Sequence, residues 1–330
     1  MEYIALKNIC KINMGQSPDS SSYNDNKDGI PFFQGNADFG EKYPVTRVWC
    51  NAPIKVAQPN DILISVRAPI GALNFAKEEC CIGRGLAALT PDRSKVSLEF
   101  IYWVLKWKKA ELNSKGTGST FKAISRKVLE ETLVPAIDFE KQYEYAEILG
   151  KTHSVIKKYK KELNCLDGLI KARFVEMFYD KGYPILKWND VFNTTTGKLD
   201  SNAAVEDGEY PFFTCSKEVL RIDKFAFDQE ALLLAGNNAA GKYDVKYYNG
   251  KFNAYQRTYV LGLKEDWSYQ LFRYQLEDKL VYLQQQSLGG LTKYLTMKIL
   301  GKLDFIIPPI EKQIAFEVFA NQVNKSKVTV

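Results

Sequence analysis

Histidine is almost missing from this chain: among 330 residues there is one, His153. Chemistries built on several imidazoles are thereby excluded. Neither a zinc cluster nor a Ser-His-Asp triad can be assembled. The six cysteines, Cys10, Cys50, Cys80, Cys81, Cys165 and Cys215, show no CxxC spacing. They read as reduced thiols, most of them buried, in a cytosol. There is no signal peptide and no apolar run long enough to span a bilayer. A soluble, cytoplasmic protein without membrane contact is expected. No large excess of one charge exists either: the net charge is +6, compatible with a polyanion but not diagnostic of one. What is plentiful is apolar material. The hydrophobic fraction is 45%, and 19 Tyr, 19 Phe and 5 Trp can fill two cores, as the length also suggests.

The chain says nearly the same thing twice. Gly29-Ile30-Pro31-Phe32-Phe33-Gln34-Gly35-Asn36 returns as Glu209-Tyr210-Pro211-Phe212-Phe213-Thr214-Cys215-Ser216. Val134-Pro135 and Glu140-Lys141-Gln142 return as Ile307-Pro308 and Glu311-Lys312-Gln313. A repeat of about 170 residues is too long for a solenoid unit, so each copy should be a domain with its own core. The expected divisions are 1–137 and 182–309 for the domains, with helical segments at 138–181 and 310–330. Asp61 to Val66 and Gly85 to Leu89 read as strands, Ser17 to Asn26 as an exposed loop, and Leu98 to Leu112 as a helix.

From Asp138 to Tyr179 the texture changes. Leu149, Ile156, Leu163, Ile170 and Met177 fall seven apart, the mark of a long helix with one apolar stripe. Asp138 is its expected N-cap. The stripe needs a partner. The segment from Glu311, with Ile314, Val318 and Phe319 on its apolar face, is expected to supply it in antiparallel orientation. Only about twenty residues follow Pro309, so the second helix is expected to be short and the stripe near Leu163 to Met177 partly uncovered. Residues 151–173 are also basic, which fits a solvated face or a docking surface for a subunit or a DNA backbone. His153 is expected beside the seam, partly exposed.

Catalytic motifs do not assemble. Gly236 to Lys242 matches GxxxxGK, but Tyr243 stands where a phosphate loop needs Ser or Thr, and Asp244 to Tyr248 reads as strand rather than helix. A sharp hairpin is expected there. Gly116-Thr117-Gly118-Ser119 is either a flexible loop or a backbone cradle for phosphates, flanked by Lys115 and Lys122. Basic and amide residues instead gather at the turns of both halves. Gln34, Asn36, Arg67 and Arg84 belong to the first, and Asn237, Asn238, Lys242, Gln256 and Arg257 to the second. Arg reads guanine and Asn or Gln reads adenine in the major groove. Lys115, Thr117, Ser119, Lys122, Thr214, Ser216 and Lys293 complete the expected DNA-binding set, mostly as backbone contacts. A merely solvated loop surface is the alternative for any one of them, and it weakens because the cluster occurs twice.

The order of these features resembles the specificity subunit of type I restriction–modification systems: a domain, Val-Pro with Glu-Lys-Gln opening a long helix, a second domain, and Pro-Pro with Glu-Lys-Gln opening another. The resemblance implies an α+β fold, with two target-recognition domains joined by a long helix and an antiparallel coiled coil closed by the C-terminal helix. It implies that each domain reads half of a split double-stranded DNA target and that the helices dock two methyltransferase subunits. A motor and endonuclease subunit joins through the complex. S-adenosylmethionine, ATP and magnesium belong to those partners; this chain is expected to hold no cofactor and no catalytic residue. Self-association through the uncovered stripe is a further expected contact. The competing readings are a DNA-binding nuclease or methyltransferase fragment and a scaffold for a partner other than DNA.

Overall fold

Ile62, Leu63 and Ile64 are all fully buried, although alternate residues of a strand face opposite ways. Both faces of this strand are therefore covered. Ile62 and Ile64 join a cluster with Leu89, Phe100, Ile101 and Leu105, while Leu63 joins Phe33, Ala57, Leu86 and Ala88 on the other side. The second half repeats the device. Leu232 and Leu234 pack with Leu261, Phe272 and Leu276, and Leu233 packs with Phe213 and Phe252.

The computed structural model describes residues 2–118, 122–239 and 241–329. They form two units, residues 1–157 and 158–330. Unit 1 contains β1 (Tyr3–Ala5), β2 (Cys10–Met14), β3 (Tyr23–Asn24), β4 (Ile30–Phe33), β5 (Val48–Cys50), β6 (Val56–Ala57), β7 (Ile62–Ser65), β8 (Leu73–Phe75), β9 (Cys80–Ile82), β10 (Leu86–Pro91) and β11 (Leu133–Pro135). Its helices are α1 (Leu98–Trp107), α2 (Lys109–Ser114) and α3 (Arg126–Glu130). One sheet runs β2-β10-β7-β8, another β3-β5-β4-β9-β6, and β1 pairs with β11. The helix expected over Leu98 to Leu112 is interrupted at Lys108, where ψ is 4°.

A single helix, α4 (Phe139–Phe178), is shared between the units, its first half in unit 1 and its second in unit 2. The Asp138 carbonyl accepts the Gln142 N–H at 3.0 Å, as an N-cap residue does. Unit 2 continues with β12 (Ile185–Lys187), α5 (Trp188–Val191), β13 (Phe192–Thr196), β14 (Tyr210–Phe213), β15 (Leu220–Ile222), β16 (Phe227–Ala235), β17 (Asn237–Asn238), β18 (Val245–Ala254) and β19 (Thr258–Leu263). Then follow α6 (Tyr269–Asp278), α7 (Leu280–Gln286), β20 (Lys293–Tyr294), α8 (Met297–Leu300), β21 (Asp304–Ile306) and α9 (Ile310–Thr329). The main sheet is one piece, β13-β19-β16-β18-β14-β15.

The repeated Glu-Lys-Gln has a structural meaning. The Ser97 N–H donates to Gln142 Oε1 at 2.8 Å, and Gln142 Nε2 donates to the Ile137 carbonyl at 2.9 Å. In unit 2 the Ser268 N–H donates to Gln313 Oε1 at 3.0 Å, and Gln313 Nε2 donates to the Pro308 carbonyl at 2.8 Å. Ser97 and Ser268 also cap α1 and α6, their hydroxyls accepting the Phe100 and Leu271 N–H groups. Each glutamine is thus a buried clasp between a helix start and a helix cap.

In unit 2 the second half of α4 packs against α9. The Phe316 ring lies 5.8 Å from Phe174 and 5.6 Å from Phe178, while Lys327 pairs with Asp167 at 2.5 Å, so the two run antiparallel. Ile170, Phe174, Phe178, Phe316, Ala320 and Val323 form the buried contact. The expected seam needs correction here. Ile314 and Val318 are each 52% exposed. The clasp explains it: Gln313 must face inward, and at about 100° per residue Ile314 and Val318 are turned roughly 100° and 140° away. Leu163 and Met177 are half-buried and Ile170 is buried, so this stripe is partly covered. Leu149 and Ile156, in unit 1, are the exposed seam residues, at 44% and 45%. Leu149 borders an apolar groove of about 410 Å³ with Phe100, Trp103 and Trp107. His153 is exposed, its ring edge-on to Trp103 and its Nε2 3.2 Å from Lys106 Nζ.

Cys10, Cys50, Cys80 and Cys81 are buried, and all six thiols are free. Burial pushes the Cys80 thiol up to about 12, which keeps it protonated and unreactive.

Candidate nucleic-acid interface

Unit 1 brings four of the expected residues to one place. Gln34, Asn36, Arg67 and Arg84, with Gly35 and Gly85, line a pocket of about 250 Å³. Backbone bonds hold these segments together. The Gly83 N–H donates to the Phe33 carbonyl at 2.8 Å, Gly85 N–H to Gln34 at 3.2 Å and Val66 N–H to Gly85 at 2.9 Å. A side chain at Gly85 would lie 2.3 Å from the Gln34 carbonyl, so this approach requires glycine. The Arg67 turn is drawn in by Ser65, whose hydroxyl donates to the Pro69 carbonyl at 2.7 Å and accepts the Ala72 N–H at 2.9 Å. Arg67 and Arg84 are exposed, and neither guanidinium has a hydrogen-bond or ion-pair partner among the described residues.

The glycine-rich segment lies beside the Arg67 turn. Thr117 and Ala123 exchange both backbone bonds at 2.9 Å, and the Ala68 N–H donates to the Lys122 carbonyl at 3.0 Å. The Lys122 side chain is exposed. Lys115 is less available, because its ammonium donates to Glu111 at 2.6 Å. Ser119 lies outside the described residues.

Unit 2 gathers its set in the same way. Asn237 and Asn238 pair with Tyr294 and Lys293 across β17 and β20. The Lys242 N–H donates to Asn238 Oδ1 at 3.3 Å. The Gly236 N–H donates to the Arg257 carbonyl at 2.9 Å, and Cys215 Sγ approaches that carbonyl at 3.5 Å, which brings in the Thr214–Ser216 turn. Gln256 Nε2 donates to Asp200 Oδ2 at 3.2 Å. Arg257, Lys242 and Ser216 are exposed and Lys293 is half-buried. Thr214 departs from expectation. It is 6% exposed, and its hydroxyl accepts the Ser216 N–H at 3.2 Å, so it shapes the turn from beneath. The GxxxxGK segment leads into strand β18, in agreement with the rejection of a phosphate loop.

The two sets are in register. Leu86 faces Ser65 and Ala87 faces Met14 in unit 1; Thr258 faces Ala235 and Tyr259 faces Thr196 in unit 2. The bonds Val66 to Gly85 and Gly236 to Arg257 are equivalent, as are Gly83 to Phe33 and Tyr255 to Phe213. Arg67 therefore corresponds to Asn237, and Arg84 to Gln256. Gly71 and Gly241 also correspond, both with left-handed φ, 81° and 65°.

Sequence reading missed the residues that hold the loops. Ser17 Oγ accepts the Arg84 N–H at 3.3 Å. Asp38 accepts the Gln34 N–H at 2.8 Å, and Lys246 Nζ donates to the Ser216 carbonyl at 2.8 Å. Ser17 and Asp38 are short polar side chains in loops, and Lys246 is one lysine of strand β18, so nothing in the sequence singles them out. Among the described residues, no group of three or more His, Cys, Asp or Glu is placed to hold a metal. No described helix is long and apolar enough to cross a membrane.

The family model described as "Type I restriction modification DNA specificity domain" matches the chain twice, over residues 1–164 and 181–319. The chain belongs to that family. A relative from Methanocaldococcus jannaschii, provisionally named the specificity subunit of the MjaX type I restriction enzyme, is 44% identical over 152 residues, covering 46% of this chain and 36% of the relative. The EcoDI specificity subunit of Escherichia coli is 52% identical over 87 residues, 26% of this chain and 19% of the relative. The chain thus spans well under two thirds of these relatives by alignment. A crystal structure of the type I restriction–modification S subunit from M. genitalium shares the fold, with a TM-score of 0.61 and 14% identity, covering 99% of this chain and 92% of that one. The duplicated domain of the specificity family is thus the same duplication that the ladders display.

Proposed function

We propose that this chain is the DNA-reading subunit of a type I restriction–modification assembly. One observation carries the reading: the same framework, built twice, presents a cluster of basic and amide side chains at equivalent turns. Each unit reads one half of a bipartite double-stranded target, through base edges in the major groove and through phosphates. The helices dock two methyltransferase subunits, and a motor and endonuclease subunit joins through the complex. Those partners carry S-adenosylmethionine, ATP and magnesium and do the chemistry, in the cytoplasm. The chain's own role is recognition. The free guanidiniums of Arg67 and Arg84 support it, since unpaired exposed Arg side chains are suited to planar bidentate recognition.

The test is DNA binding by the full chain across a salt series. Log affinity should fall linearly with log salt, by about 0.9 per phosphate contact. A flat response, or equal affinity for all duplexes, refutes the reading.

A further inference from the structure

The register between the units sharpens what each reads, given the recognition role proposed above. At both positions matched by backbone hydrogen bonds, unit 1 presents a guanidinium and unit 2 a carboxamide: Arg67 against Asn237, and Arg84 against Gln256. We infer that unit 1 reads guanines, and unit 2 adenines, at the two equivalent positions of their half-sites.

The chemistry follows from the base edges. A guanidinium offers two parallel N–H donors, which match the O6 and N7 acceptors of guanine. A carboxamide offers one donor and one acceptor, which match N7 and N6–H of adenine. The placement suits this use. Arg67 and Arg84 border one pocket of about 250 Å³ with Gln34 and Asn36, and both are exposed. No carboxylate among the described residues engages either guanidinium, so both forks remain open. Asn237 is held by its backbone in the β17–β20 pair, which fixes the base of the side chain and leaves the amide to a ligand. Gln256 is exposed, and its contact with Asp200 uses one of the two Nε2 N–H groups, leaving the other N–H and Oε1 for a base edge.

Discrimination separates this from phosphate binding. Lysine keeps the charge but loses the planar fork. At a phosphate contact that loss weakens all duplexes alike; at a guanine contact it reduces the preference for one base at one position.

The experiment is selection of bound duplexes from a randomised library by the full chain, followed by affinity measurements on single-base variants. The wild type should enrich guanine at two positions of one half-site and adenine at two positions of the other. Arg67→Lys should keep the salt dependence and reduce discrimination for guanine at one position, by roughly 5- to 150-fold. Arg67→Asn with Arg84→Gln should shift that half-site towards adenine and leave the other half-site unchanged. The reciprocal Asn237→Arg with Gln256→Arg should shift the second half-site towards guanine. Selective binding with other bases at these positions, or variants that weaken all duplexes equally, overturns the inference and leaves the recognition role intact. A wild type that selects no sequence overturns the recognition role itself.

Discussion

The two units share registers yet differ in how far their sheets extend. In unit 2, β18 runs unbroken from Val245 to Ala254, pairing with β16 along most of its length and with β14 at its end. The equivalent stretch of unit 1 is two strands, β8 and β9, in separate sheets. The partner segment explains the break. Pro59 lacks a ladder donor, and Asn60 has a φ of 70°. The Asp61 N–H donates to the Gln58 carbonyl at 3.0 Å, and the Gln58 N–H donates to Asp61 Oδ2 at 2.9 Å. A tight turn thus replaces the extended Gln229-Glu230 of unit 2. The ends that carry the candidate residues stay in register all the same. Sheet continuity is negotiable in this framework, and the bonds beneath the loops are not.

Covering by helices is the second contrast, and it gives the largest expected effect. Phe316 and Tyr145 occupy equivalent places after Gln313 and Gln142, but Phe316 is fully buried and Tyr145 is 44% exposed. Phe316→Ala should cost about 3–5 kcal/mol in chemical denaturation. Tyr145→Ala should cost less than about 1 kcal/mol, since the side chain keeps much of its contact with water. Equal losses would break the contrast.

The glutamine clasps test the likeness instead. Gln142→Ala and Gln313→Ala each orphan a buried N–H and a carbonyl, so each should cost about 1–3 kcal/mol per unsatisfied group. Hydrogen exchange at the Ser97 and Ser268 amides should accelerate in its own unit only. A clasp that can be removed freely from one unit would mean that the motif is structural in only one.

The hairpin glycines sharpen the likeness further. Gly71→Ala and Gly241→Ala both force a left-handed residue to carry a Cβ, at a cost of about 1–2 kcal/mol. The added atom would sit 3.1 Å from Lys109 Cγ in unit 1 and 3.3 Å from Gln284 Cγ in unit 2, so similar shifts in Tm should be measured. Smallest is Lys122→Ala. It should leave stability and sequence preference alone and lower the salt slope of DNA binding by about 0.9. Lys293→Ala should lower it less, because that side chain is half-buried.

The duplication was legible because its markers are residues with backbone duties: Pro-Phe-Phe strands, the two hairpin glycines and the two clasp glutamines. Four of the candidate residues in unit 1 were legible as basic and amide residues at turns, and they line one pocket. The apolar face of the C-terminal helix was misread because Ile314 and Val318 were assumed to set its rotation, whereas Ile170 and Met177 of the long helix do join the contact. A polar residue sets that rotation instead, since Gln313 must satisfy Ser268 and Pro308. Thr214 was misread for a related reason. A hydroxyl in a turn is as apt to serve the neighbouring N–H as a ligand, and nothing in its sequence neighbourhood distinguishes the two.

The bonds that set the two candidate loop sets in register, Val66 to Gly85 and Gly236 to Arg257, are made by backbone atoms, while Arg67, Arg84, Gln256 and Arg257 above them are exposed. Substitution at such surface positions usually changes stability by less than about 0.5 kcal/mol. Arg67, Arg84, Gln256 and Arg257 can therefore drift with almost no penalty to the fold. On the proposed function, new target preferences lie along nearly neutral paths in population terms. A lineage under pressure to recognise unfamiliar DNA would then explore them one residue at a time, in one unit, without first acquiring a compensating mutation in the other.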